Sequence, residues 1–394
     1  MIGQRAASPA VPMALLAALF LAALSLRPQL VGIGPLLPAI QDDLGITHAQ
    51  AGLLTTIPVL CMGIFAPLSP LLAARFGTAP TVAVSLVAIG TFGLARVFVP
   101  DLVPIALLTI GVGIGIGVAG TLLPAYVKER LDHAPVAGTV AYTGGLQLGS
   151  AISAALAIPL ALAIGGWRVA MGLFSGLTLL LLVPWLAIGV RDGPHQTARM
   201  RVSRADYLDR RGWELAAVLA VFSSVYYGLV SWLTNAYIEA GWTPESAGGL
   251  VGLLNVGAFI GALSVGVIVG RFASFRATLV GMGVLFAASV AALAALPPIA
   301  PVSALLAGIA NGALFTMVLT IPPRVARSAA RAAGMSSVAL GTGYVVAALS
   351  PIALGAFRDA TGSFQLSLAA LAAAAVLVAI GMAFIARWPS AEEG

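Results

Sequence analysis

The chain has 394 residues, of which 60% are hydrophobic and only 9% are charged, and its mean hydropathy is +1.04. Because soluble domains carry about 25% charged residues, this composition excludes a soluble globular protein and indicates an integral membrane protein. The net charge of +6 could suggest nucleic-acid binding, but the basic residues are scattered through short stretches without a basic stripe, and we interpret them as topology signals.

The first apolar stretch follows a basic residue, Arg5, as in a signal peptide, but it is too long for one and eleven more apolar stretches follow. We therefore expect it to be retained as the first membrane helix. Cys61, the only cysteine, lies inside an apolar stretch, which predicts neither a disulfide framework nor a metal cluster. Charge-poor windows predict an all-α membrane protein with twelve transmembrane helices. These windows cover residues 12–40, 48–73, 79–99, 102–126, 136–163, 168–190, 213–238, 246–270, 276–296, 301–323, 334–357 and 364–387.

The basic residues are distributed unequally between the two sides of the membrane that these helices define. If both termini lie on one side, sixteen basic residues fall on that side, whereas Arg96, Arg168 and Arg358 lie at the edge of the other. Short cytoplasmic loops of membrane proteins carry an excess of Lys and Arg. Both termini are therefore predicted to be cytoplasmic.

The two halves of the chain repeat each other. Residues 191–212 are polar and lack apolar periodicity, which predicts a cytoplasmic linker between two six-helix bundles, residues 1–190 and 213–394. A shift of 196 residues places DLGITHAQAG, which begins at Asp43, over EAGWTPESAG, which begins at Glu239. One constant shift across several loops indicates duplication. It also sets Arg75-Phe76 over Arg271-Phe272, Lys128 over Arg324, and Ala137-Gly138 over Ala333-Gly334.

Six helices plus six in the same orientation is the parallel-repeat arrangement of major facilitator transporters. Three segments add to this: RPQLVGIGPLLPAI from Arg27, AGLLTTIPVLCMGIFAPLSP from Ala51, and GGWR from Gly165. They resemble one group of that superfamily, the cyanate permeases, which includes nitroimidazole transporters. This resemblance implies a bacterial inner-membrane permease for a small anion or small polar molecule, with the substrate bound between the halves. Twelve helices suffice for a working monomer, and no cofactor is expected.

The sequence departs from the superfamily in the loop after the second helix. There the family usually carries an aspartate before Arg-Phe-Gly, whereas Ala74 precedes Arg75-Phe76-Gly77, and Gly270 takes the same place in the second copy. The chain therefore lacks the carboxylate on which a cytoplasmic gate of the family would depend.

Arg27 is the strongest candidate for a binding residue. It lies within one residue of the midpoint of the first predicted helix, which places it near the bilayer midplane. An arginine at that depth costs roughly 2.5 to 3.5 kcal/mol, so it should face protein, water or a ligand. No Asp, Glu or His lies in the central part of a predicted helix, and we expect a small anionic substrate to be its partner. The alternative is that Arg27 caps unwound carbonyls near Pro28 or Pro35.

Six further large polar side chains lie within about three residues of the midpoints of their helices. With Arg27 they define one layer suited to a dehydrated anion, because arginine offers two parallel N–H groups, amides offer NH2 donors and tyrosines offer O–H donors. The alternative for each of the six is a packing hydrogen bond between helices. They are Gln147, Tyr226, Tyr227, Asn255, Asn311 and Tyr344.

These residues predict a secondary active transporter that moves a small anion by alternating access, and the resemblance implies a cyanate-like anion, a carboxylate or a nitro-heterocycle as its substrate. Uptake and efflux both stay open, as does the coupling ion. The alternative is proton-driven efflux of drugs or neutral solutes, which requires a titratable group in the cavity. His48, His133 and His195 all lie in loops or at helix ends, so they do not supply one. An enzyme would need a nucleophile with a base, or metal ligands, at membrane depth, and the sequence predicts neither.

Overall fold

The computed structural model describes residues 13–131, 135–190 and 207–389. Within these ranges the chain forms helices and loops without any strand, and twelve helices are long and apolar enough to cross a membrane. The prediction of an all-α membrane protein with twelve transmembrane helices is therefore confirmed. We number the helices in chain order: α1 (Met13–Leu44), α2 (His48–Phe76), α3 (Thr78–Phe98), α4 (Leu102–Arg130), α5 (Ala137–Ile164), α6 (Trp167–Gly189), α7 (Arg210–Glu239), α8 (Pro244–Val267), α9 (Phe275–Ala295), α10 (Pro297–Val325), α11 (Arg331–Thr361) and α12 (Phe364–Ile385).

The predicted linker, residues 191–212, lies mostly outside the described residues. Its last residues belong to α7, which begins at Arg210 because Asp209 caps it. The Asp209 carboxylate accepts hydrogen bonds from the backbone N–H groups of Arg211 (2.9 Å) and Gly212 (3.3 Å). It also forms an ion pair with Arg331 of α11. A capping aspartate satisfies the free N–H groups of a helix start, so α7 begins before its apolar run.

The first six helices and the last six pack in the same way. In the first half, α1 packs against α5 and α6, α3 packs against α4 and α6, and α2 packs against α4. In the second half, α7 packs against α11 and α12, α9 packs against α10 and α12, and α8 packs against α10. Each contact of the first half thus recurs six helices later, so the sequence repeat is also a structural repeat.

The turn that follows the first helix of each half shows how closely the copies agree. Gly45 and Gly241 are 196 residues apart and both adopt positive φ, 60° and 88°. Two residues later, the hydroxyls of Thr47 and Thr243 accept a hydrogen bond from the backbone N–H three residues on, at 3.2 Å and 3.3 Å. Glycine ends one helix and threonine starts the next in both copies.

The charged residues distinguish two faces of the helix assembly. The basic face is the side at which α2, α4, α8 and α10 end, and it carries Arg75 and its copy Arg271. The opposite face is the side at which α1 and α7 end. Two ion pairs lie there, Asp43 with Arg168 and Glu239 with Arg358, and their acidic members are copies of each other.

Helix α1 is broken near its centre. Neither Pro28 nor Pro35 has a backbone N–H to donate, so a regular hydrogen-bond ladder cannot run through them. The carbonyl of Arg27 accepts hydrogen bonds from the N–H groups of Leu30 (3.0 Å) and Val31 (2.9 Å), so Arg27 begins a new segment. The pieces of α1 are Met13–Ser25, Pro28–Val31, a 3-10 turn at Gly34–Leu36, and Leu37–Leu44.

The two halves meet where α2 packs against α11 and α5 packs against α8. Glycines permit the close approach. A Cβ added to Gly52 of α2 would lie 2.9 Å from the carbonyl oxygen of Pro351, and a Cβ on its copy Gly248 would lie 2.3 Å from Ile158 of α5. Gly52 thus packs against the backbone of α11 and Gly248 against the Ile158 side chain, and small residues of this kind let membrane helices approach closely.

The broken segment of α1 also contacts the second half directly. A Cβ on Gly34 would lie 2.1 Å from the carbonyl oxygen of Val230 in α7. Val230 is 196 residues after Gly34, so each is the copy of the other. Two equivalent positions can touch only where the axis relating the halves passes, which places the pseudo-two-fold axis at this contact.

Polar contacts join the halves at the opposite face. The side-chain amide of Asn235 in α7 donates to Gln41 Oε1 of α1 at 2.9 Å. Asp359 of α11 accepts hydrogen bonds from the backbone N–H groups of His48 (3.3 Å) and Ala49 (2.9 Å), and its Oδ1 lies 2.7 Å from His48 Nδ1. Helix α2 therefore takes part of its N-terminal cap from the other half of the protein.

The contact between Gly34 and Val230 predicts that Gly34→Ala lowers the melting temperature of the purified protein. The new methyl group must push the halves apart, and overpacking of this kind costs about 1–3 kcal/mol. Gly281→Ala in α9 is the matched control, because a Cβ there meets no atom within 4 Å. Equal melting temperatures for the two variants would contradict the close packing at the axis.

Candidate functional site

The break in α1 places Arg27 in the interior, with 8% of the residue exposed. Four tyrosines lie close enough to act on the charge of its guanidinium: Tyr142 of α5, Tyr226 and Tyr227 of α7, and Tyr344 of α11. One cation from the first half is therefore surrounded by phenol groups from both halves.

The tyrosines of the second half form a connected cluster. The rings of Tyr226 and Tyr227 are 5.2 Å apart, and those of Tyr227 and Tyr344 are 6.4 Å apart, both in edge-to-face orientation. The Tyr226 hydroxyl donates to Asn255 Oδ1 of α8 at 2.9 Å, and Asn255 Nδ2 donates to the carbonyl of Val251 at 2.9 Å. Asn255 thus orients the Tyr226 hydroxyl.

No carboxylate in the described ranges neutralises Arg27. Each Asp and Glu that the structure describes lies in a loop or in the outermost turns of a helix, and Arg27 has no ion pair among the described residues. Phenol oxygens accept N–H groups but carry no charge. The site therefore keeps a net positive charge in a region of low dielectric constant, where an anion is attracted more strongly than in water.

The structure joins most, but not all, of the predicted layer. Arg27, Tyr226, Tyr227 and Tyr344 lie together, and Asn255 is connected through Tyr226. Gln147 is half-buried on α5 without a hydrogen bond to the cluster. Asn311 of α10 is buried, and its Oδ1 has no partner among the described residues. No described contact connects Gln147 or Asn311 to Arg27.

The structure adds Tyr142, which the sequence criterion missed. Tyr142 lies five residues from the start of α5, outside the central third of that helix. Its hydroxyl donates to the carbonyl of Gly120 in α4 at 3.3 Å, and its side chain acts on Arg27. A tyrosine side chain spans several residues of helix rise, so distance from a helix midpoint underestimates its reach.

A second buried arginine belongs to a hydrogen-bond network next to the site. Arg96 of α3 is 3% exposed, although its position at the end of α3 suggested an edge residue. Its guanidinium donates to Thr109 Oγ1 of α4 at 3.1 Å and to Gln29 Oε1 of α1. Gln29 in turn donates to Ser175 Oγ of α6 at 2.8 Å. Because Gln29 is two residues from Arg27, this network ties the broken segment of α1 to three other helices.

The site is not duplicated although the fold is. Capping residues such as Thr47 and Thr243 keep their chemical type in both copies, whereas the residues around Arg27 differ from their copies. The polar side chains around Arg27 are therefore not required by the helix packing that the two halves share. The pairs, separated by 196 residues, are Arg27 and Ser223, Leu30 and Tyr226, Val31 and Tyr227, Leu148 and Tyr344, and Val59 and Asn255.

An open cleft of about 490 Å³ lies at the opposite face between α1 and α7. Gln41, His48 and Asn235 line it, so the polar contacts that join the halves form part of its wall. Asn235 is eight residues after Tyr227, or roughly 12 Å along the helix axis. The contacts at the opposite face therefore lie nearer to that face than the tyrosine cluster does, and they are not part of the cluster.

Known proteins agree with this architecture. Residues 13–351 match the model of the Major Facilitator Superfamily. The chain is 31% identical over 375 residues to the 2-nitroimidazole transporter of Escherichia coli (strain K12), and the match covers 93% of each protein. It is 26% identical over 353 residues to the cyanate transport protein CynX of the same organism, covering 89% of this chain and 91% of that protein. Among solved structures, the nucleoside transporter NupG superimposes with a TM-score of 0.76 at 12% identity, covering 95% of this chain and 99% of that chain.

The bond between Arg96 and Gln29 predicts strong coupling between the two residues. Gln29→Leu leaves a buried guanidinium without one of its two acceptors, and Arg96→Met leaves a buried amide oxygen without its donor, so each variant should lower the melting temperature. The double variant removes both polar groups and should be less destabilised than the sum, by about 0.5–3 kcal/mol. A thermal double-mutant cycle measures this, and strictly additive losses would contradict the network.

Proposed function

The chain belongs to the Major Facilitator Superfamily and is a multi-pass membrane transporter rather than an enzyme, and we propose that it moves a small anion or a small polar solute by alternating access. The observation that carries the proposal is Arg27, a buried cation with tyrosine neighbours and no described carboxylate. We place the transporter in the bacterial inner membrane, with the basic face and both termini in the cytoplasm and the monomer as the working unit.

Binding follows from the hydrogen-bonding capacity of the site. The Arg27 guanidinium offers two parallel N–H groups and a full charge, which suits a carboxylate, a nitro group or the end of cyanate. Tyr227 and Tyr344 offer O–H groups that replace water around the bound solute. Charge-assisted hydrogen bonds in a low-dielectric site are about twice as strong as neutral ones, so a small solute can be held by few contacts.

The substrate class is inferred from this chemistry and from the relatives. Two relatives are named for 2-nitroimidazole and for cyanate. Both solutes are small and end in oxygen or nitrogen atoms that accept hydrogen bonds. The edge-to-face tyrosine rings also provide aromatic faces and edges against which a flat heterocycle can pack. Cyanate-like anions, carboxylates and nitro-heterocycles are therefore the proposed substrates.

Alternating access would use the axis at Gly34 and Val230. The halves rock about that contact, so separation at one face brings them together at the other. For a monoanion, entry against an inside-negative potential costs about 2.3 kcal/mol per 100 mV, so uptake needs a coupled cation or exchange whereas efflux runs downhill electrically. Both directions are compatible with the site.

Proton-driven efflux of drugs or neutral solutes is the alternative function. It requires a group near the bound solute that gains and loses a proton during transport. In the described ranges, His48 and the carboxylates lie at helix ends and in loops, away from the tyrosine cluster. The anion proposal is therefore better supported than the proton-driven one.

Replacing Arg27 separates a binding role from a backbone-capping role. Arg27→Met should weaken binding of cyanate or 2-nitroimidazole by roughly ten- to hundredfold, the loss expected for a charge-assisted hydrogen bond, and Arg27→Lys should retain part of the affinity. Ligand-induced thermal stabilisation and proteoliposome uptake measure this. Without ligand, Arg27→Met should melt at the same or a higher temperature, because a buried unpaired charge has been removed. A large fall in the ligand-free melting temperature with unchanged uptake would assign Arg27 to capping instead.

Replacing each of two tyrosines of α7 by phenylalanine should change a different property, ligand affinity for one and stability for the other. Tyr227→Phe removes an O–H group beside Arg27 and should weaken ligand binding about two- to tenfold with little effect on ligand-free stability. Tyr237→Phe removes a hydrogen bond to the carbonyl of Leu293 (2.8 Å) outside the site, so it should lower the melting temperature without changing affinity. Isothermal titration and thermal unfolding of both variants give the comparison. Equal affinities for Tyr227→Phe and the parent would remove Tyr227 from the site.

A further inference from the structure

A histidine and an aspartate join the two halves at the opposite face. His48 begins α2 in the first half, and its Nδ1 lies 2.7 Å from Oδ1 of Asp359, near the end of α11 in the second half. Histidine is the side chain that ordinarily changes its charge between pH 5 and 8. The strength of this contact between the halves therefore depends on whether the imidazole carries a proton.

Two aromatic rings of the second half hold the His48 imidazole in place. Its ring centroid lies 5.7 Å from that of Trp232 in α7 and 5.3 Å from that of Phe364 in α12. Trp232 is itself fixed, because its Nε1 donates to the carbonyl of Pro351 at 2.7 Å. A side chain of the first half is thus inserted among groups of the second, and it must leave them when α2 and α11 separate.

Several other charged side chains lie on the helices around this contact. Within the described ranges, Asp359 is the one titratable group that forms a hydrogen bond or an ion pair with the imidazole. A proton gained by His48 therefore acts first on the pair with Asp359. The other charged groups are Asp42 of α1, Glu239 of α7 with its ion-pair partner Arg358 of α11, and Asp101 at the start of α4.

Protonation changes the character of the contact without removing it. A protonated imidazole donates a charge-assisted hydrogen bond to the carboxylate, whereas a neutral imidazole offers at most an uncharged N–H group. Asp359 also accepts hydrogen bonds from the backbone N–H groups of His48 and Ala49, and these bonds exist in both protonation states. Only the electrostatic part of the attraction is lost when the imidazole becomes neutral.

The equivalent interface between the halves has no such pair. There α5 packs against α8, and the residues equivalent to Asp359 and His48 are Ala163 and Pro244. Neither of these side chains can titrate. The pair is therefore not required by the repeated fold, and it makes one of two equivalent interfaces sensitive to pH.

We propose that His48 and Asp359 form a pH-sensitive latch, which holds the opposite face closed when His48 is protonated. The inference rests on the proposed alternating access, because that mechanism requires the halves to separate at this face. Only the closed arrangement places the carboxylate beside the imidazole, so protonation stabilises the closed arrangement relative to the separated one. Low pH thus favours closure, and this contribution is lost as the pH rises and the imidazole loses its proton.

The test measures the separation of the halves in the purified full-length protein without a solute. Spin labels are attached at Pro100→Cys and Leu296→Cys, two exposed and equivalent positions at the opposite face, in a Cys61→Ala background. Double electron–electron resonance in nanodiscs at pH 5 and pH 8 gives the populations of short and long distances. We expect the ratio of open to closed protein to be roughly two- to fivefold lower at pH 5, the effect of an ion pair that is partly open to solvent.

Four variants show whether this response belongs to the pair. His48→Gln and Asp359→Asn should each remove the pH dependence, because each replaces a titratable group by an amide that still forms hydrogen bonds. Arg168→Gln breaks an ion pair within the first half and should keep the pH dependence. The double variant His133→Gln/His195→Gln, which removes the other two histidines of the chain, should keep it as well.

Two results would overturn the latch. A pH dependence that survives in His48→Gln would assign the response to another group, and identical distance distributions of the parent at pH 5 and pH 8 would mean that the pair does not control closure. Addition of cyanate or 2-nitroimidazole distinguishes these failures from a failure of the transport mechanism. A distance change on adding solute without any pH response would remove the latch and support alternating access, whereas no change with either would contradict both.

Discussion

A guanidinium inside a membrane protein has to be compensated, and the way in which Arg27 is compensated shapes the centre of this molecule. Carboxylates would neutralise it permanently, whereas the phenol groups near it carry no charge and can both accept and donate hydrogen bonds. The break in α1 brings the residue into contact with both halves. Arg96, the other arginine that is buried in the described part of the chain, makes the contrast clear, because its hydrogen bonds to Gln29 and Thr109 engage it within one half.

The duplicated scaffold separates what the fold requires from what the site requires. Equivalent turns, caps and helix contacts recur after 196 residues, and the halves touch at the equivalent positions Gly34 and Val230. Within this symmetry the centre is asymmetric: the first half contributes the cation and most of the phenol groups come from the second. A symmetric scaffold can move as two rigid bodies, while an asymmetric centre can hold one solute in one orientation.

The sequence was sufficient to predict the helix count, the repeat and the grouping of Arg27 with Tyr226, Tyr227 and Tyr344. Hydropathy and helix midpoints locate a residue along the membrane normal. This depth alone was enough to group these four residues. The direction in which each side chain points from its helix was not predictable. Membrane helices are apolar on every side and lack the amphipathic pattern that orients a helix in a soluble protein. Gln147 and Asn311 therefore appeared equivalent to Tyr344 although no described contact joins them to the cluster. Arg96 appeared exposed because its burial depends on Gln29, 67 residues away.

If the halves part at the opposite face, as the proposed alternating access requires, Asp359 gives that transition a particular physical character. Its carboxylate caps α2 from across the interface, so two backbone N–H groups, those of His48 and Ala49, lose their acceptor whenever α2 and α11 part there. Water in the open cleft that His48 lines can replace it, because the first N–H groups of a helix need acceptors from outside the helix. Opening on this side would thus require hydration of these N–H groups as well as movement of the helices, and osmotic stress that lowers the water activity should slow it.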